Sequence, residues 1–464
     1  MRRESLSKSG PYLLYLILAF LLYGPHFIYL EGLPQILSDS FAYFIIAADL
    51  IEGNLPLEGY YLDLPLGYPL FISSIYNLGG NLQTVIGIQT LIFLTSFLLL
   101  IDYFNKKSTV LGYLCAILCF GFISTSESLL WCTLLYTEGL FIASIVCFSY
   151  FLLKFLSDSQ PKYVLSMIAA ILMAALMRSN GIYLFGIIGV LMLVQKNLRI
   201  RLFIILGVGL CFITSSLINK VIKDTAFPFE SNRIAVQVLG FPDTRNKFKI
   251  TQSKLIKNNS SEENLTISSQ AVKLFLNPSK SDFGNHYYYR MQRQMHRFLL
   301  GDRERSIKEK NSIARYKDVS ESDYINVLNL IEKDIDYSEK EIKEFLDITN
   351  IEKRPRNAWL YLCHLLHLGS FFFRNILFLL IFWVVTLYSY FKSVRIRFRI
   401  DSIYTKVSIL SFVYIFSTLL MVYMMPRDTS LSRYSIVTEI IILILPLYFV
   451  SLRGEWKNRR EEII

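Results

Sequence analysis

Two carboxylates and two arginines stand where the chain has little reason to carry charge. Asp39 follows closely on an apolar run that extends from Tyr12 to Leu30, and Glu138 opens another apolar run, with Glu127 eleven positions before it. Arg178 separates two short apolar segments, and Arg433, with Tyr434 behind it, precedes a further one. A carboxylate beside an apolar surface has its proton affinity raised toward neutral pH, which suits acid–base work. Asp39 equally suits the N-cap of a helix running on from Ser40. Glu138 is favourable at a helix N-terminus on electrostatic grounds alone; the other reading has it, or Glu127, orienting a reacting group. An arginine holds phosphate through paired hydrogen bonds, or it snorkels to the headgroups. No cofactor is expected, and no His/Asp/Glu cluster with ligand spacing supports a divalent metal. His364 and His367 read as packing or interface residues.

The elements that must hold these groups are membrane helices. Of 464 residues, 53% are hydrophobic and 18% charged, below the roughly 25% of ordinary globular domains. The apolar residues come in blocks long enough to cross a hydrocarbon layer roughly 30 Å thick. This excludes a secreted disulfide scaffold, a disordered chain and a soluble nucleic-acid binder, so no nucleic-acid partner is expected. The formal charge of +11 asks for a membrane explanation first. The six cysteines, Cys115, Cys119, Cys132, Cys147, Cys211 and Cys363, lie in or beside apolar segments without a C-x-x-C pair, and read as small core residues. The first apolar run is longer than a signal h-region, and no small-x-small cleavage site follows it.

About ten spans are expected: 12 to 30, 82 to 102, 109 to 126, 138 to 156, 163 to 177, 181 to 195, 202 to 222, 371 to 391, 403 to 425 and 434 to 452. Basic clusters orient them: Arg2, Arg3 and Lys8; Lys106 and Lys107; Lys162; Lys196, Arg199 and Arg201; Lys392 to Arg399; and Arg453 to Arg460. All fall on one side if both termini are cytoplasmic, as the positive-inside bias requires. The fold class is therefore an all-α polytopic membrane protein with three parts: residues 1–222 as an N-terminal transmembrane module with its first outer loop, 223–370 as a long extracytoplasmic segment, and 371–464 as the last helices and a basic tail. The long segment is expected to be irregular around Asn258, Asn259 and Asn264, and helical around His286 to Leu300 and Ser322 to Glu352. Polar residues gather on the outer side, which favours a surface-acting enzyme over a transporter with mid-span polar breaks.

The first outer loop reads, from Leu37 to Gly80, LSDSFAYFIIAADLIEGNLPLEGYYLDLPLGYPLFISSIYNLGG. An acid lies soon after the first span, then an amphipathic run from Phe41 to Ile51, a Glu52-Gly53-Asn54 turn, and Pro65-Leu66-Gly67-Tyr68-Pro69 ahead of more apolar residues. The run is expected to lie in the interfacial plane. With Tyr136-Thr137-Glu138-Gly139-Leu140-Phe141, Met177-Arg178-Ser179-Asn180-Gly181 and Arg433-Tyr434, this order resembles the GT-C class of integral-membrane glycosyltransferases, nearest its protein-mannosyltransferase and aminoarabinose-transferase branch. The resemblance covers roughly the first 185 residues by motif and the rest by topology.

The resemblance implies a polyprenyl- or dolichyl-phosphate sugar as donor and chemistry on the non-cytoplasmic face; a lipid, protein or glycan acceptor, transfer with inversion and a bacterial plasma membrane are expected with it. It implies Asp39 as general base, Glu138 or Glu127 as an acceptor-orienting second acid, and Arg178 and Arg433 as cations for the donor phosphate. Asp39 stands between Ser38 and Ser40, where many members of the class carry two adjacent acids. Tyr43, Tyr60, Tyr61 and Tyr68 suit stacking on a sugar ring or an interfacial aromatic belt. The rival expectations are a glycan polymerase or ligase using a lipid-diphosphate oligosaccharide, and a lipid or solute transporter.

Overall fold

The computed structural model describes residues 2–29, 38–55, 65–123, 135–178, 181–182, 184–195, 197–224, 376–396, 402, 404–411 and 444–452. Among the described residues the chain is helical: α1 (Arg2–Tyr29), α2 (Ser38–Glu52), α3 (Gly67–Asn77), α4 (Leu82–Lys107), α5 (Thr109–Ile123), α6 (Glu138–Asp158), α7 (Pro161–Met177), α8 (Leu184–Val194), α9 (Leu198–Lys223) and α10 (Ile376–Arg395). Two further helical stretches cover 404–411 and 444–452.

Local chemistry explains most of the boundaries. Asn81 starts α4 by accepting the Thr84 backbone N–H at 2.9 Å, and Asn197 starts α9 by accepting that of Arg199 at 3.0 Å. Both use the side chain to satisfy an N–H that the first helical turn leaves open. Pro161 stands in the first turn of α7, where its missing N–H costs nothing. Between α6 and α7 the chain reverses through Ser159, which takes the left-handed conformation at φ 51°.

Three described helices are long and apolar enough to cross a membrane: α4, α6 and α9. The apolar part of α1 (Lys8–Gly24), α5 and α7 are shorter apolar helices of 10–17 residues. Burial ranks the spans. The most apolar stretch of α6 is 72% buried, that of α9 only 28%, so α6 is the centre of the bundle and α9 lies at its edge. Helix α6 packs along α4 and α7, α5 lies against α1 and α4, and α9 lies against α7. Phe93, Phe97 and Phe122 fill the α4–α5 seam, with ring centroids 5.3 and 5.4 Å apart. At the edge, Leu202, Leu206, Leu210, Ile213 and Leu217 of α9 stay exposed, the outward stripe expected of a helix facing lipid.

The helices alternate in direction, so the bundle has two chemically different ends. At one end the start of α1 meets the end of α4, where Asn105 donates to the Lys8 carbonyl (2.7 Å), and the end of α4 meets that of α6, where Tyr103 bonds Ser157 (2.8 Å). Lys8, Lys106, Lys107, Lys154 and Lys162 gather here. At the other end Tyr23 of α1 donates to the carbonyl of Ile123, which closes α5 (3.3 Å). Here α2 and α3 pack on each other as a helical hairpin. The amphipathic run expected to lie in the interface is a 15-residue helix with Phe44, Ile46, Ala47 and Ala48 buried. It is covered on more than one side because α3 and the end of α9 both press on it, through Ile46, Leu66 and Ile222.

Candidate functional site

Three of the four quoted motifs meet at this second end. Glu138 is the first residue of α6, and Arg178 directly follows α7, the antiparallel neighbour of α6. Their side chains form an ion pair, Arg178 Nη1 to Glu138 Oε1. Glu138 is 2% exposed and Arg178 12%. The second carboxylate oxygen accepts from the Thr137 hydroxyl at 3.2 Å, and the guanidinium lies over the Phe141 ring, 5.9 Å from its centroid. The carboxylate also sits at the positive end of the α6 macrodipole, so helix and arginine hold it together. A buried charge needs this much compensation.

The arginine is aimed by a turn that only glycine permits. Arg178 is extended (φ −150°, ψ 136°), its N–H bonds the Ala174 carbonyl at 2.9 Å, and its own carbonyl takes the Gly181 N–H at 2.8 Å. A Cβ on Gly181 would lie 2.3 Å from backbone atoms of Ala174 and Ala175. The return chain therefore lies directly on the last turn of α7. On the same turn rests the start of α3: a Cβ on Gly67 would sit 2.6 Å from the Leu176 carbonyl carbon and oxygen. Pro65-Leu66-Gly67-Tyr68-Pro69 is thus wedged against the residues that lead into Arg178.

Tyr68 locks the wedge. It is fully buried, its hydroxyl donates to Gln89 Oε1 at 2.7 Å, its ring meets that of Tyr43 edge-on at 5.5 Å, and it stacks near Phe71 at 6.1 Å. Tyr43 is 8% exposed. Both rings are turned into the packing between α2, α3 and α4 rather than toward an open surface. Asp39 falls in the first turn of α2, one residue past the Ser38 start.

Glu127 and Arg433 lie outside the described residues, as do Tyr60, Tyr61, His364, His367 and nearly all of the 223–370 segment. Among the described residues, no group of three or more His, Cys, Asp or Glu is placed to hold a metal ion.

Two features escaped the sequence reading. Gln89 is a fully buried amide in the apolar run of α4, and a lone polar residue within a span is the signal that marks it. Ser215, Asn219 and Lys223 recur every four residues on α9 and are 1%, 5% and 7% exposed. That repeat continues, with polar residues, the inward face that Ile204, Gly207 and Cys211 begin on α9. The stripe ends beside Ile222, which packs on Leu66 and Ile46, so Lys223 closes α9 near the α2–α3 hairpin.

The packing thus joins a buried acid–arginine pair and a glycine-fitted wedge at the end of the bundle opposite the lysine cluster, and α2, with Asp39 in its first turn, packs on that wedge through Tyr43. Protein-family models contain no match to the chain, and a search of curated proteins finds none.

Proposed function

We propose that the chain is a ten-span glycosyltransferase of the GT-C kind, moving a sugar from a polyprenyl-phosphate carrier to a lipid, protein or glycan hydroxyl outside the cytoplasm. The observation that supports this reading best is the meeting of Gly67, Glu138 and Arg178 at one end of the bundle. These residues come from three separate motifs that share nothing in sequence except their order.

In the proposed reaction the Asp39 carboxylate takes the proton of the acceptor hydroxyl. The acceptor oxygen then attacks the anomeric carbon from the face opposite the phosphate. The bond from that carbon to the phosphate oxygen breaks, and polyprenyl phosphate leaves with the electron pair, giving inversion. Arg178 balances the charge that develops on the phosphate, while Glu138 and the α6 N-terminus fix the direction of its guanidinium. Arg433 is the second proposed cation.

The test offers a panel of polyprenyl-phosphate sugars to the purified full-length protein in detergent and reads released carrier phosphate. Release with one donor, lost in Asp39→Asn while the variant elutes normally, is expected. Parental release by a folded Asp39→Asn protein removes the base assignment, and no release with any donor removes the reaction class.

A further inference from the structure

The bond between Tyr68 and Gln89 does more than packing requires. Helix α3 already buries Ile72 and Ile75 in the bundle core, and apolar contact of that kind holds a helix without fixing its direction. Gln89 is 0% exposed within the apolar run of α4, where an amide is costly unless it is hydrogen-bonded. Phenylalanine at 68 and leucine at 89 would fill nearly the same space with no polar group to satisfy. What the 2.7 Å bond from hydroxyl to amide oxygen adds is orientation, because a hydrogen bond weakens steeply as its geometry departs from the ideal.

Two arms of the proposed reaction converge on that tyrosine. Its ring meets Tyr43 of α2 edge-on at 5.5 Å, and Asp39 stands one turn before Tyr43 in the same helix. Its chain neighbour Gly67 rests on the backbone of Leu176, two residues before Arg178. Tyr68 is thus tied on one side to the helix that carries the proposed base and on the other to the turn that carries the proposed cation. Gln89 anchors it to α4, a long span packed along α6, and α6 begins with Glu138.

We propose that Gln89 is a positioning residue for the transfer reaction: by holding the Tyr68 hydroxyl it fixes α3, and with it the placement of α2 and its Asp39 relative to Arg178. The inference rests on the glycosyl-transfer reading for what is positioned, whereas the link from Gln89 to Arg178 is testable without a donor.

The experiment compares the purified full-length parent with Tyr68→Phe, Gln89→Leu and the double variant in detergent. It reads thermal midpoints and, on the folded fraction, kcat and donor KM for carrier-phosphate release. Each single variant is expected to lower kcat about tenfold, the scale of a displacement well under the roughly 1 Å that costs a hundredfold, with KM within about threefold of the parent's. The double variant should also lose about tenfold, because both substitutions remove the same bond. A loss of about a hundredfold, which independent contributions would give, overturns the proposal. So does a parental kcat in either single variant, the result of a bond that serves stability alone, or a change confined to KM. If the single variants do not elute as one species, the double variant, which strands neither partner of the bond, decides: a kcat about tenfold lower supports the anchor and a parental one overturns it. The arm that needs no donor compares the drop in midpoint caused by Arg178→Gln in the parent and in Tyr68→Phe. A smaller drop in Tyr68→Phe supports the link, and equal drops overturn it. Should the parent release phosphate from no donor, the reaction reading falls and this comparison alone decides the anchor.

Discussion

The Glu138–Arg178 pair gives the sharpest test of the site's architecture. With 2% and 12% of the two side chains exposed, neither charge has water to fall back on. Removing one partner strands the other, which costs about 3–5 kcal/mol. Glu138→Gln and Arg178→Gln are therefore each expected to lower stability by about that much. The double variant strands no charge and should lose far less than the sum, leaving a coupling of at least about 2 kcal/mol. Exchanging the residues is expected to rescue only partly, since a cation at the start of α6 opposes the macrodipole by about 0.3–1 kcal/mol. The assay is a double-mutant cycle on purified protein, following chemical unfolding in detergent by tryptophan fluorescence. Additivity within about 0.5 kcal/mol, or single variants indistinguishable from the parent, would refute the claim that a buried ion pair holds α6 to α7. If the pair also serves catalysis, Arg178→Lys should retain more stability than activity, because lysine keeps the charge and loses the fork.

Gly67→Ala drives a methyl group into the backbone of Leu176 and is expected to cost about 1–3 kcal/mol; a thermal midpoint equal to the parent's would show that α3 is not wedged on α7. Burial is the leading cause of a raised Asp49 carboxyl pKa, opposed by Asn54 and assisted by the Glu52 charge. The native state therefore binds its proton more readily than the unfolded chain, and the penalty for ionised Asp49 is relieved as pH falls through the raised value toward about 3.9. Asp49→Asn should accordingly stabilise the protein near neutral pH, with the advantage closing in acid; thermal midpoints across pH would contradict this if the variant were less stable at neutrality. In a cysteine-less background Leu78→Cys and Lys162→Cys, both at exposed positions, should label with a membrane-impermeant maleimide only from outside and only from inside, respectively. Labelling of both from the same side would break the proposed topology.

How much of this was legible in the sequence depends on the range of the interaction. The lysines used to orient the spans are local signals at helix ends, and the structure gathers Lys8, Lys106, Lys107 and Lys162 at one end of the bundle. Asn81 and Asn197 likewise announce helix starts by their own chemistry. Partners distant in the chain are a different matter. The sequence displays Arg178 as an isolated cation among apolar residues, but its carboxylate lies 40 positions away, and neither residue type encodes the other's place. Tyr68 reads as an interfacial aromatic until Gln89, 21 positions on, is seen to take its hydroxyl inside the bundle. The amphipathic look of α2 suggested a helix with one face in water. What it could not disclose is that α3 and α9 cover further faces, since that depends on how the loop folds back over the spans.

The two ends of the bundle handle charge by different physics, and the difference follows from burial. At the lysine-rich end most cations sit at the rim, where Lys106 is 63% exposed; ring contacts and solvent suffice, and a single substitution there changes little. At the opposite end Arg178 lies over Phe141 against Glu138 and is 12% exposed, so its charge must be met inside the protein. An arginine is costly to hold in such a place unless its direction matters, because a hydrophobic pair of similar volume would serve stability as well or better. The expense is reasonable where a fixed cation must face a group arriving from the membrane. Glycine at 67 and 181 lets backbone pack directly on the last turn of α7, which leads into Arg178. The rigidity of this corner, rather than the presence of any one charged residue, is what makes it the place to look for chemistry.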